Sequence, residues 1–485
     1  MKYLSISAVF SLACITSIVL ARGVDYQKRI EEEQGRALPS CERLVSHIKL
    51  CRKLREAREI AKDVSLQIFE ITEQRRKKNG KPEVTRRLVR REFALIVYDP
   101  GDNRLHTIVL DMPMVGNDTF QPNVRSSHDP SCQVVRIKGQ TFIKFVFSVT
   151  CGDRKLYVYA AKHLSVPPVF RSRGVKAMTR EAEPKVYLAT PPYLANDEFG
   201  WLGRMHVLEA ATEGLDELRN SQVHSKALPG KLVADIITPE ALVNFLVTEQ
   251  TDPCLLAERD PGCEKLLPQP LYERDEQVTD AVLTEFVLNG LDAYRYICST
   301  AGACGAYQFT NKGTRVSVPD PRHPKKMLVQ LNPGTYDAMR HKYPEGSLDP
   351  DFRRGTQSFR NSAKAAALLI DYELSSPKMP DWVRQVFVDD QRIGLLFPAM
   401  AYNGGPSQAR GLAKLMNEFQ SLRGILRPRF DTFPWQEFTR WIKAKNLAIR
   451  RGQPLALKWE TLGYLRKFVA NWTHFERYTW KERRR

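Results

Sequence analysis

Apolar residues fall along this chain in two periods, helical near both ends and strand-like between them. Leu44, Ile48, Cys51 and Leu54, then Ile60, Val64, Ile68 and Ile71, recur at helical spacing among charged residues. That spacing predicts one or two amphipathic helices, stopped by Asn79-Gly80-Lys81-Pro82. From about Arg86 to Ser165 the runs shorten to Phe93–Tyr98, Leu105–Leu110, Val134–Ile137, Phe142–Val149 and Leu156–Ala160. Asp99–Asn103, Lys138–Gln140 and Gly152–Arg154 supply turn residues between them. Short apolar runs joined by turn chemistry predict a small antiparallel sheet. Pro167-Pro168 and Pro191-Pro192 bracket a basic, irregular linker. From Phe199 onward the helical period returns, with segments expected at Thr238–Val247, Val278–Leu291, Ser362–Leu374, Pro380–Val388, Ile393–Tyr402 and Gln408–Phe419. The fold class is therefore α+β and multidomain. The units expected are 1–21, 22–85, 86–165, 166–198, 199–427 and 428–485.

The first unit reads as a secretory signal. Lys2 precedes an apolar run from Tyr3 to Leu20, and small residues place a cleavage after Ala21. An uncleaved N-terminal anchor is the alternative. Either reading expects export to the periplasm or cell envelope. Net charge is +19, which favours polyanionic surroundings. In an exported protein that points to anionic wall polymer or lipid, and no nucleic acid is expected.

Outside the signal, where Cys14 lies, the cysteines number eight of the nine. An even set behind an export signal predicts disulfides. The spacing suggests Cys132 with Cys151, Cys254 with Cys263, and Cys298 with Cys304. Cys41 with Cys51 is harder, because a continuous helix would hold their Cα atoms roughly 15 Å apart, beyond the ~7 Å limit of a bridge. There is no Cys-x-x-Cys and no histidine close to a cysteine pair in the pattern of a zinc site, so no metal and no cofactor are expected.

The densest motif is Ser299-Thr300-Ala301-Gly302-Ala303-Cys304-Gly305-Ala306-Tyr307-Gln308-Phe309. Small residues let a backbone approach a bulky ligand closely. Met400-Ala401-Tyr402-Asn403-Gly404-Gly405-Pro406 follows downstream, ending a helix on a strong stop. Together they resemble the lytic transglycosylases of the lysozyme-like superfamily, which carry Gly-Ala-x-Gly-x-x-Gln and a later Ala-Tyr-Asn-x-Gly. The spacing is nearest to the membrane-bound lytic transglycosylase B type. The resemblance covers about 230–420, where Gly334-Thr335-Tyr336, Leu348–Phe352 and Asn361–Leu369 also fit. It implies a mainly helical lysozyme-like domain over 199–427 that cleaves peptidoglycan glycan strands. A basic stretch, Val316–Lys326, has no counterpart in that pattern and reads as an added loop.

Glycoside cleavage needs a carboxylic acid that stays protonated, and desolvation at an apolar helix end supplies one. Thr238-Pro239 starts an apolar helix that carries Glu249 at its end, 53 residues before Gly302. The family has Glu-Ser or Glu-Thr there, whereas this chain has Glu249-Gln250. Glu285, 17 residues before Gly302, is the alternative acid. The only sequence neighbour that could serve as a second carboxylate is Asp252, which suits a mechanism with one acid/base and an internal nucleophile. The resemblance implies that Ser299, Gly302, Ala303, Tyr307 and Gln308 line the sugar site. It places Tyr402 near the acid and adds Tyr402 and Asn403 to the substrate-binding residues. The basic, Trp-rich tail from Pro428 is expected to be helical, with its aromatics either in a core or against glycan or lipid. A non-catalytic wall-binding or secretion-apparatus scaffold and a lysozyme-type muramidase are the competing functions.

Overall fold

The structure is a computed structural model that describes residues 32–33, 48–76, 82–113, 122–138, 146–165, 183–189, 195–251, 274–295, 303–320, 323–448 and 456–482. The signal segment, Cys41, Cys254, Cys263, Cys298, Ser299, Gly302 and Asp252 lie outside the described residues.

Helix α1 spans Ile48–Asp63 and is followed by an antiparallel sheet. The strands are β1 (Ile68–Arg76), β2 (Pro82–Asp99), β3 (Arg104–Pro113), β4 (Asn123–Ser126), β5 (Cys132–Lys138), β6 (Val146–Cys151), β7 (Arg154–Ser165) and β8 (Glu183–Leu188). Their order is β4-β3-β2-β7-β6-β5, with β1 added on β2 and β8 on β7. Two expectations are corrected here. Residues 68–76 are a strand, not a helix: Ile68 and Ile71 belong to an antiparallel pair with Arg91 and Arg87, and strand pairing prevails over an ambiguous helical spacing. The region read as linker supplies β8, whose Val186 and Tyr187 pair with Lys162 and Ala161.

Period-2 alternation explains why β2 is central. Phe93, Leu95 and Val97 are buried toward Ile108, Val134 and Val149, while Ile96 on the opposite face packs with Leu54, Ala57 and Ala61 of α1. The Cys132–Cys151 disulfide closes the hairpin of β5 and β6, where the two residues are directly opposite. Cys51 and Cys304 are also disulfide-bonded.

The remainder is mainly helical. It comprises α2 (Asp197–Asn220), α3 (Pro239–Gln250), α4 (Asp275–Asn289), α5 (Thr335–Lys342), α6 (Phe352–Gln357), α7 (Phe359–Ser375), α8 (Asp381–Asp389), α9 (Leu396–Gly404), α10 (Pro406–Arg423), α11 (Trp435–Ala448) and α12 (Trp459–Glu482). Two small hairpins interrupt it: β9 (Ala303–Cys304) with β10 (Phe309–Thr310), and β11 (Lys312–Asp320) with β12 (His323–Pro333). The second hairpin occupies the stretch expected to be an irregular loop. Among the described residues no helix is long and apolar enough to cross a membrane.

Helix α7 lies in the middle of the helical core, with Ala363, Ala365, Ala366 and Ala367 fully buried. Small side chains there let neighbours approach; a Cβ on Gly214 of α2 would meet Ala363 Cβ at 3.1 Å. The N-terminus of α7 is capped from a distance. Buried Glu33 accepts hydrogen bonds from Ser358 Oγ (2.9 Å), Phe359 N (2.9 Å) and Arg360 N (3.1 Å), and pairs with Arg295 at 3.2 Å. A carboxylate at that end complements the helix dipole and its orphan N–H groups.

The tail is part of this core rather than an appendage. Phe438, Ile442, Leu465, Phe468, Trp472 and Phe475 are buried in the same cluster as α3 and α7. Its aromatics are therefore mainly packing groups, with Trp435 and Trp441 partly buried against the same cluster.

Candidate functional site

Helix α3 starts on Thr238, whose hydroxyl accepts from Ala241 N at 3.3 Å with Pro239 at the first turn. Every residue from Ala241 to Thr248 is buried, and Glu249 emerges half-buried near the end. Glu249 lies one turn beyond Phe245, on the same face. Phe245 in turn packs on the Tyr402 ring, with centroids 5.1 Å apart. Glu249 and Tyr402, widely separated in sequence, thus meet in space.

Tyr402 comes from the last turn of α9, which ends at Gly405 with a positive φ of 83°. That glycine caps the helix by donating its N–H to Ala401 O at 2.8 Å. The Tyr402 hydroxyl donates to the carbonyls of Tyr307 and Gln308, the latter at 2.7 Å. Its hydrogen is therefore committed to the turn, and what it can offer Glu249 is an oxygen lone pair. Burial, and then the Glu249 carboxylate, hold the Tyr402 phenol well above the ordinary tyrosine range.

The Gly305–Gln308 turn is built closely. Gly305 has φ +77°, and an added Cβ would stand 2.3 Å from Thr356 O. Gln308 adopts φ 53°, unusual for a residue with a side chain. The Gln308 side chain donates to Gly305 O at 2.8 Å, so in this state it closes its own turn. Gln250, next to Glu249, donates Nε2 to Ala306 O at 2.5 Å. Gln250 thus ties the helix that carries Glu249 to the Gly305–Gln308 turn. Ala303 pairs with Thr310 in the hairpin. Tyr307 is fully buried, and its hydroxyl has no hydrogen-bond partner among the described residues. Asn403 Oδ1 is likewise buried without one, which makes it a candidate acceptor for a ligand hydroxyl.

The sequence reading missed Tyr464. Its hydroxyl donates directly to Glu249 Oε1. Burial, then the Glu249 charge and this hydrogen bond, raise the Tyr464 phenol well above its usual value. Both tyrosines stay protonated at physiological pH. Tyr464 belongs to a polar stripe on α12 formed by Tyr464, Lys467, Asn471 and His474, at offsets of three, seven and ten residues. Lys467 Nζ donates to Thr251 O at 2.9 Å. Asn471 donates to Thr248 Oγ1 at 3.0 Å and accepts from Thr279 Oγ1 at 2.6 Å. His474 Nε2 lies 2.8 Å from Asp280 Oδ1.

Glu285 is placed differently. It is buried in α4, where it accepts from Asn289 Nδ2 at 2.8 Å. Asn289 also exchanges both of its amide functions with the backbone of Leu188, at 2.8 Å and 2.9 Å. The carboxylate of Glu285 therefore supports the junction of β8 and α4, and the geometry gathers the motif residues around Glu249 instead.

The chain matches no protein-family profile, no curated protein and no solved structure.

Proposed function

We propose that this protein is a peptidoglycan lytic transglycosylase with a lysozyme-like catalytic domain, Glu249 being its single acid/base. The observation that carries this reading is the convergence of Glu249, Tyr402 and the Gly305–Gln308 turn from three separate segments of the chain. Those are the parts that the sequence motifs pair, and nothing in helix packing alone requires them to meet.

In the proposed reaction Glu249 transfers a proton to the glycosidic oxygen between a muramoyl and a glucosaminyl residue. Tyr464 donates to Oε1 of this carboxyl group and holds its orientation. As the C1–O bond breaks, positive charge develops on the muramoyl ring. The 6-hydroxyl of the same sugar attacks C1, and its proton passes to the carboxylate. The products are a free glucosaminyl hydroxyl and a 1,6-anhydromuramoyl end, with Glu249 protonated again. An internal nucleophile gains from proximity and requires no second carboxylate. Asn403 Oδ1 and the Gln308 amide, once released from its own turn, are the proposed partners of sugar hydroxyls. Export to the periplasm, where this polymer lies, belongs to the same proposal, as does contact with anionic wall polymer or lipid through the basic surface.

The test is mass spectrometry of soluble products after incubation with purified peptidoglycan, beside Glu249→Gln. Anhydromuropeptides from the wild type, absent with the variant, are the expected result. Products with reducing ends would identify a lysozyme-type hydrolase. No products from either protein would leave a wall-binding scaffold.

A further inference from the structure

The β module carries a cluster that the proposed reaction does not use. Asp99 ends β2, His106 lies on β3 and His128 sits in the loop between β4 and β5. One ligating atom from each lies within 4.8 Å of the other two. The two imidazoles stack with centroids 3.7 Å apart and planes 13° from parallel.

Each of the three is fixed by its surroundings. Asp99 is fully buried, and its Oδ1 accepts from Gly101 N at 2.7 Å. His106 Nε2 is 2.7 Å from Asp102 Oδ2, a carboxylate–imidazole pair of the kind that orients ligand histidines. The loop that carries His128 is held by Asp129, whose Oδ1 accepts from Ser131 N (2.8 Å) and Ser131 Oγ (2.6 Å). The Cys132–Cys151 disulfide anchors the strand that follows. Those cysteines are bonded to each other and cannot ligate.

We propose that Asp99, His106 and His128 form a binding site for one divalent transition-metal cation of the zinc class. Two imidazoles and a carboxylate suit a borderline cation, whereas hard cations such as calcium select all-oxygen sites. The bound ion joins the β2–β3 turn to the β4–β5 loop, a structural clip separate from Glu249. Arg154 is the competitor. Its Nη1 pairs with Asp99 Oδ2 at 2.7 Å, its Nη2 lies 3.9 Å from Asp129 Oδ2, and its side chain is about half exposed. A guanidinium at that distance opposes a cation on the same carboxylate.

The experiment is calorimetric titration of the untagged full-length protein with zinc chloride, with far-ultraviolet circular dichroism on every variant. The wild type is expected to take one equivalent. His106→Ala and His128→Ala should each weaken binding at least tenfold. His128 is exposed, so His128→Ala keeps the test valid should His106→Ala misfold. Arg154→Ala should bind zinc severalfold more tightly, because it removes the competing charge. His474→Ala should leave zinc binding unchanged, which distinguishes this site from the Asp197, Asp280 and His474 group. The proposal is overturned by absence of saturable binding, by binding that survives His128→Ala, by loss in His474→Ala, or by equal competition from calcium.

Discussion

Tyr464 donates its hydroxyl to Glu249 across an interval of 215 residues. The bond fixes one carboxyl oxygen and brings the C-terminal helix into the proposed active site. A donor to a carboxylate stabilises its charged form, which appears when the acid has released its proton. Tyr464→Phe removes that donor while keeping the ring in place. We expect kcat for glycan release to fall roughly a hundredfold to a thousandfold, by analogy with removing one preorganised donor. Stability should fall as well, by about 1–3 kcal/mol, because the half-buried carboxylate loses its donor. Unchanged kcat would reduce Tyr464 to a packing residue.

Tyr402 uses its hydroxyl differently. Its hydrogen goes to the carbonyls of Tyr307 and Gln308, not to Glu249. Tyr402→Phe leaves those acceptors without this donor, at a cost of about 1–3 kcal/mol. Denaturant melts should register that loss. KM should rise more than kcat falls, because in the proposed site the turn would contact sugar rather than move protons. A pure kcat loss at full stability would reassign the hydroxyl to the chemistry.

Gly305 tests the turn itself. Gly305→Ala would place a methyl group 2.3 Å from Thr356 O at a φ of +77°. Overpacking of this kind costs about 1–3 kcal/mol, and the left-handed backbone adds about 1–2 kcal/mol. Gly424→Ala is the matched control. Its φ is +66°, but nothing lies within 4 Å of the added carbon. Melting experiments should therefore show the larger loss at 305, and equal losses would mean that the contact with Thr356 relaxes.

Glu373 gives a pH signature. Burial pushes its carboxyl from 4.5 up to about 7. A folded value above the unfolded one means that the neutral form suits the fold. Its contribution is fully present below pH 4.5 and is lost as pH rises through about 7. Glu373→Gln keeps the shape without the charge. It should be more stable than wild type at pH 8, by on the order of 1–3 kcal/mol, with the advantage vanishing below pH 4.5. A pH-independent difference in Tm would refute the assignment.

Much of this site was legible because its motifs are local. Thr238-Pro239 announces α3, and Gly404-Gly405-Pro406 announces the end of α9, so Glu249, Tyr402 and Asn403 were placed at helix ends from the sequence. The strands Phe93–Tyr98 and Leu105–Leu110 were legible for the same reason. Ile68 and Ile71 were not, since their spacing fits a helix face and only pairing with β2 makes them strand residues. Glu285 stood as the alternative to Glu249 in the sequence, which could not show that its carboxylate meets Asn289 beside Leu188. Tyr464 was hidden by tertiary structure: no local pattern says which distant helix end a buried tyrosine meets.

Asn471 provides the sharpest check that α12 belongs to the helical core. It receives Thr279 Oγ1 from α4 and donates to Thr248 Oγ1 on α3, one residue before Glu249. Asn471→Ala leaves buried hydroxyls on both helices with a lost partner, a cost of about 1–3 kcal/mol. Thr279→Val strands the Asn471 carbonyl at a similar cost. Because the two changes break the same bond, the double variant should fall short of their sum by about 0.5–3 kcal/mol. Additive losses in urea melts would mean that α12 and α4 do not share this contact. The tail would then hold the Glu249 helix through Tyr464, Lys467 and the Asn471–Thr248 bond, without help from α4.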